Sequence, residues 1–177
     1  MKILKHFKTV YTHRKYVRRL CFKCGLYKQG LLHDLSKYSL AEFIPSAKYW
    51  TGNKSPLENE INDIGYSEAW LHHKGRNKHH YEYWIDQSHG APEIICDMPI
   101  KYIFEMFCDR VGACKAYLKD KYTNSSPLNY ALSKQDREKR LMSPYTYDLI
   151  MYLLRTLAEH DEDYVCSEIK NMKGKML

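Results

Sequence analysis

The sequence predicts an all-α protein, a compact bundle of about seven to nine helices. Three observations carry that expectation. Apolar side chains recur at helical spacing, and no strand-length window alternates Val or Ile with polar residues. A chain of 177 residues is also long enough for one domain with a buried core. Hydrophobic residues make up 44% and charged residues 28%, a balance that excludes a disordered chain. No stretch approaches ~18 uninterrupted apolar residues, so no membrane-spanning helix is expected.

Leu4 to Cys24 reads as the first helix, with Val10, His13, Val17, Cys21 and Cys24 along one face and Gly25 as its stop. A second helix is expected from Gln29 to Lys37. Ser39 can cap a third toward Tyr49, with Pro45 disturbing it. Thr51 to Gly65 reads as loop, because Gly52-Asn53 and Ser55-Pro56 are turn signals. Ser67 to His73 and Lys78 to Gln87 are expected as short helices hinged by Gly75-Arg76-Asn77. Pro99 to Tyr122 is the most apolar segment, carrying Ile100, Ile103, Phe104, Phe107, Val111 and Leu118, and belongs in the middle of the bundle. Ser143-Pro144 opens a final helix through Leu157. No repeat or linker divides the chain. A single domain over residues 1–177 is therefore expected, with its core over about 1–122 and a helical extension over about 126–170.

The formal charge of +7 is unevenly placed. Residues 1–30 hold nine Lys or Arg and no acid, while the other 147 hold nineteen cations against twenty-one acids, a net −2. A basic first helix of this kind could release counterions from a nucleic acid, so a non-enzymatic nucleic-acid binder is one reading. No groove-binding motif accompanies the charge. The alternative is a solvated basic face that draws a phosphorylated substrate. No membrane partner is expected, and the composition leaves the oligomeric state open. The six cysteines, Cys21, Cys24, Cys96, Cys108, Cys114 and Cys166, follow no secretory apolar segment. They are expected as reduced thiols of a cytoplasmic protein.

The histidines carry the chemistry. Of nine, six stand at His13, His33 and in the pairs His72-His73 and His79-His80. His33-Asp34 follows an apolar run, so a buried segment delivers an imidazole and a carboxylate together. Asp109 interrupts the most apolar helix, where an unpaired charge is costly and needs a cation or hydrogen bonds. Gly112 leaves room beside it. Nitrogen and oxygen donors of these kinds suit one or two divalent transition-metal ions, Fe, Mn, Zn, Co or Ni. The spacing does not say which histidine of each pair is a ligand. His160-Asp161 is read as a chance pair in a charged run. Tyr38, Tyr81 and Trp84 could stack a base but are more commonly core at such spacing.

The ordered series His13, His33-Asp34, a histidine cluster and Asp109 resembles the HD-domain superfamily of metal-dependent phosphohydrolases. Gly30-Leu31-Leu32-His33-Asp34-Leu35-Ser36-Lys37 looks like that family's central motif, a small-apolar run followed by His-Asp-x-x-Lys. Cys108-Asp109-Arg110-Val111-Gly112-Ala113 is similar to its closing motif. The segment from His72 to His80 is similar to the extra histidines of members that hold two metals. With this double pair the chain also resembles an uncharacterised bacterial subfamily of small proteins. The resemblance covers about residues 10–120.

It implies a helical bundle of the HD type with His13, His33, Asp34, His72, His73, His79, His80 and Asp109 as the candidate metal ligands. Asp34 or Asp109 would orient or deprotonate a water, with Lys37 beside them as a catalytic cation. Lys37, Arg76, Asn77 and Arg110 are the candidates for holding phosphate. A nucleotide or another small phosphoester is the implied substrate. An HD-type di-iron oxygenase with the same ligands is the rival enzyme. A structural zinc on Cys21-x-x-Cys24 is disfavoured, because that pair lies in a helix and lacks a second Cys-x-x-Cys.

Overall fold

In the computed structural model, which describes residues 2–52, 55–87, 89–90 and 92–175, the chain is helical apart from one two-stranded ladder. Its ten described α-helices slightly exceed the expected number. Helix α1 (Lys2–Lys23) buries His6, Val10, His13, Val17, Leu20 and Cys21 along one face. Gly25, at a left-handed φ of 74°, turns the chain out of it.

Helix α2 (Tyr27–Leu32) is shorter than the expected Gln29–Lys37 segment. His33 is extended (φ −49°, ψ 125°), Asp34 is left-handed (φ 53°, ψ 28°), and Leu35–Tyr38 form a 3-10 turn. Successive residues of a continuous helix diverge by about 100°. Breaking the helix lets both His33 and Asp34 turn inward, and aspartate is among the few non-glycine residues that tolerate this backbone.

Helix α3 (Leu40–Tyr49) begins after Ser39, as expected, and carries Pro45 within it, although the Ser39 hydroxyl makes no capping bond. The expected loop over 51–65 instead contains α4 (Pro56–Ile64). Ser55-Pro56 is a helix start rather than a turn: Ser55 Oγ accepts the Leu57 N–H and Pro56 fills the first turn. Asn53, of the other turn signal, lies outside the described residues. Ser67 caps α5 (Glu68–Lys74) by accepting the Trp70 N–H at 3.0 Å.

The helix expected over Lys78–Gln87 is also absent. A 3-10 turn, Tyr81–Trp84, leads into β1 (Ile85–Asp86), which pairs antiparallel with β2 (Ile94–Ile95), Ile85 opposite Ile95. Two-residue strands are too short to show as alternation in the sequence.

Helix α6 (Ile100–Leu118) occupies the centre, as its composition requires. After it come α7 (Ser126–Ser133), α8 (Gln135–Leu141), α9 (Pro144–Glu159) and α10 (Glu162–Gly174). Ser143 and Pro144 open α9 as expected, with Ser143 Oγ accepting the Thr146 N–H at 3.2 Å, but α9 is not the final helix because α10 follows it. The apolar core gathers Val17 and Leu20 of α1, Phe104 and Phe107 of α6, Leu153 and Leu154 of α9 and Ile169 of α10. A Cβ on Gly112 would come within 2.5 Å of Val17 Cγ2. Gly112 therefore makes room for α1 against α6, not for a ligand beside Asp109. His160 and Asp161 form the junction between α9 and α10, where Asp161 caps α10 through the Tyr164 N–H and His160 stacks on the Tyr164 ring. All six cysteines are unpaired, with Cys21 and Cys24 wholly buried in the core. Among the described residues no helix is long and apolar enough to cross a membrane.

Candidate metal centre

The apolar packing of α1 on α6 sets His13 against Asp109, with His13 Nε2 3.1 Å from Asp109 Oδ1. The break after α2 adds His33, whose Nε2 lies 3.2 Å from the same oxygen and 3.4 Å from His13 Nε2. Asp34, fully buried, faces this pair through Oδ2, at 3.3 Å from His13 Nε2 and 3.4 Å from His33 Nε2. Its other oxygen, Oδ1, faces His73 Nε2 of α5 at 3.2 Å and His79 Nε2 at 3.4 Å.

Two ligand sets result, His13/His33/Asp34/Asp109 and Asp34/His73/His79/His80, and in each the donor atoms lie within 4.8 Å of one another. Asp34 belongs to both. Either set could hold a metal ion. The fit is supported by orphaned atoms, because among the described residues Nε2 of His73, His79 and His80 is buried without a hydrogen-bond partner. Apart from the Lys37 ammonium 2.6 Å from Oδ2, the oxygens of Asp34 face only the imidazole nitrogens of the two sets and have no hydrogen-bond partner among the described residues. Buried polar atoms are seldom left unpaired unless something else satisfies them.

Two glutamates absent from the sequence reading complete the arrangement. Glu105, one turn before Asp109 on α6, accepts His33 Nδ1–H at 3.0 Å and His79 Nδ1–H at 3.2 Å through one oxygen. Glu42 of α3 accepts His73 Nδ1–H and His72 Nδ1–H, each at 2.7 Å. A histidine whose Nδ1–H is held by a carboxylate presents its Nε2 lone pair inward, the tautomer a metal requires. His33, His79 and Glu105 also form a close cluster. Since the same two rings turn Nε2 toward Asp34, Glu105 supports the two sets rather than making a third. The i, i+4 spacing of Glu105 and Asp109 on one helix face was a signal for the first of these acids. The sequence carried no such signal for Glu42.

The electrostatics are those of a densely charged, buried cluster. Burial disfavours charge on His33, but Asp34, Asp109 and Glu105 outweigh it and hold its pKa well above the ordinary value. Burial likewise opposes ionisation of Asp34, yet His33, Lys37 and His73 hold its pKa well below the usual carboxylate range. Asp109 is held low in the same way by His13 and His33. His80 differs. Burial, then the neighbouring His79 and His73, push its pKa well below that of a free histidine. It stands neutral with a buried Nε2 lone pair.

Three expected site residues lie elsewhere or act differently. His72 belongs to neither set: adjacent to His73 on α5, it projects away and its ring ends on Glu42. Arg110 points off the site, where both terminal guanidinium nitrogens grip the buried Glu138 of α8 at 2.9 and 3.0 Å, a part-buried pair. Asn77 is a positioning residue, donating to Ser36 Oγ at 2.9 Å and to the His73 carbonyl at 2.8 Å. Lys37 sits at the cluster as expected. Arg76 is exposed beyond the end of α5. Tyr38 packs between Phe7 and Arg14, and Trp84 against Tyr102, so neither offers an open stacking face.

Residues 2–156 match a family of unknown function, DUF5662. The chain belongs to that family. The matched span holds every residue of both ligand sets, so the centre lies within the part shared with DUF5662 and α10 lies outside it. Neither a curated protein nor a solved structure matches the chain.

Proposed function

We propose that the chain is a metal-dependent phosphohydrolase of the HD type acting on a nucleotide or another small phosphoester. The observation that carries this reading is the fully buried Asp34, shared by two largely buried sets of ligands. His13, His33, Asp34 and Asp109 would hold one divalent transition-metal ion, and Asp34, His73, His79 and His80 a second. A bound cation would lower the pKa of a coordinated water and neutralise charge on a phosphoryl oxygen.

The protein's own groups would do the rest. Glu105 and Glu42 keep the Nε2 atoms aimed inward. Burial works against the charge of Lys37, but Asp34 and Asp109 outweigh it and raise the pKa above the ordinary lysine value. The ammonium, with about a third of its side chain exposed, can meet a substrate oxygen while touching Asp34. Arg76, also exposed, is available to phosphate oxygens at the rim. Asp109 would orient the attacking water. Six unpaired cysteines support a reducing compartment such as the cytoplasm.

Metal analysis of protein purified without chelators tests the reading, together with phosphate release from a panel of nucleotides and sugar phosphates. One or two ions per chain are expected, with Asp34→Ala losing both and Asp109→Ala losing one set. Wild-type protein that stays metal-free after reconstitution with Mn, Fe, Zn, Co and Ni overturns it. Iron with an oxygen-dependent absorbance change and no phosphate release replaces it with the oxygenase.

A further inference from the structure

The basic end of the chain has a surface that the metal centre does not use. Residues 2–52 contain eleven Lys or Arg and two acids, Asp34 and Glu42, and both acids are buried in the metal centre. The outer surface of α1, α2 and α3 therefore presents cations and no carboxylate of its own. Among the described residues, Lys23 and Lys37 are the members of this set that form ion pairs with acids, Asp163 and Asp34.

Aliphatic side chains stand out among these cations. Leu4 is 74% exposed and Leu40 75%, and Ile3, Leu31, Leu32 and Ile44 are also more than half exposed. Of the twenty-five large hydrophobic side chains exposed among the described residues, twelve fall between Ile3 and Ile44. The two stretches lie together. Lys2 Nζ donates to the Lys48 carbonyl, the Phe7 ring lies 5.6 Å from Tyr38, and Arg14 donates to the His33 and Leu31 carbonyls. These contacts run α1 beside the α2–α3 segment along most of its length.

We infer that this face docks on an anionic lipid surface, with the helices lying on the membrane rather than crossing it. Cations answer the phosphate layer while leucine and isoleucine enter the acyl boundary, the division of labour of interfacial helices. A single-stranded nucleic acid would use the cations and the aromatic rings for stacking, but it has no use for exposed aliphatic side chains. A second copy of the chain would set this cationic face against itself, which like-charge repulsion opposes. The inference is independent of what the metal centre does.

Co-flotation with vesicles of phosphatidylcholine alone, and of equal parts phosphatidylcholine and phosphatidylglycerol, tests it on the full chain. Binding to the anionic vesicles only is expected. It should weaken as ionic strength rises from about 0.1 M to about 1 M, where screening shortens from about 10 Å to about 3 Å. Leu40→Glu/Ile44→Glu should lower partitioning at least about tenfold, because the apolar anchors are replaced by charges. Lys5→Glu/Lys8→Glu, a separate pair on α1, should lower it at least about tenfold through charge alone. Both variants should keep wild-type helicity and metal content. Equal binding to neutral vesicles, or no flotation with either, overturns the inference. So does a protein that ignores vesicles but binds a single-stranded oligonucleotide, or one that ignores them and dimerises through this face.

Discussion

On one side of α6, Ile103, Phe104, Phe107 and Val111 join α1, α9 and α10 in an apolar core. On the other side, Glu105 and Asp109, one turn apart, face His13, His33 and His79 around Asp34. The first side gains stability from non-directional burial of apolar surface. The second takes charged groups out of water, and their mutual attraction must first offset that desolvation. A single helix thus carries both the support and the chemistry. The apolar side fixes where α6 lies, and the charged side uses that position without adding comparable stability.

The largest effect should come from the apolar side. Phe104→Ala is expected to cost about 3–5 kcal/mol in thermal unfolding, while the folded protein keeps its metal content. A loss under about 1 kcal/mol would break the comparison. Arg110→Met comes next, at about 3 kcal/mol, because it leaves Glu138 buried and unpaired. Adding Glu138→Leu should recover most of that loss, and a changed KM at unchanged stability would instead return Arg110 to the substrate.

His6 sharpens the distinction between a histidine at the charged end and a ligand. It is 4% exposed, and burial followed by the Lys37 charge lowers its pKa to about 4. Above the unfolded value near 6.5 both states are neutral and nothing is lost. As pH falls from 6.5 toward about 4 the unfolded chain takes up a proton that folded His6 does not, so stability declines. His6→Phe should flatten that part of the curve of melting temperature against pH, and an unchanged slope would refute the assignment. The smallest effect belongs to His72→Ala. A change of about 1 kcal/mol from the lost hydrogen bond to Glu42, with full metal content, is expected of a ring 24% exposed and outside both sets, in contrast to a loss of metal in His79→Ala.

Much of this was legible along the chain. The spacing of Val10, His13, Val17 and Cys21 marked the buried face of α1, and Asp109 announced itself as a charge in the most apolar helix. The order of His13, His33-Asp34, the histidine cluster and Asp109 brought together seven residues that the structure places in the two sets. Other features were hidden. Two-residue strands leave no periodic trace, and Ser55-Pro56 signals a turn and a helix start equally well. Glu42 looks like any acid in a first helical turn until α3 packs on α5.

Residue chemistry and local periodicity, which act over a few neighbours, determined by themselves that the chain is helical, that α6 is central and that imidazoles and carboxylates would be available to a cation. Only the tertiary structure decided how those groups divide. The helix break at His33 and Asp34, the sharing of Asp34 between two sets, the exclusion of His72 and the capture of Arg110 by Glu138 all depend on distances between elements far apart in sequence. Such distances are set when the apolar faces close on one another, and no local pattern encodes them.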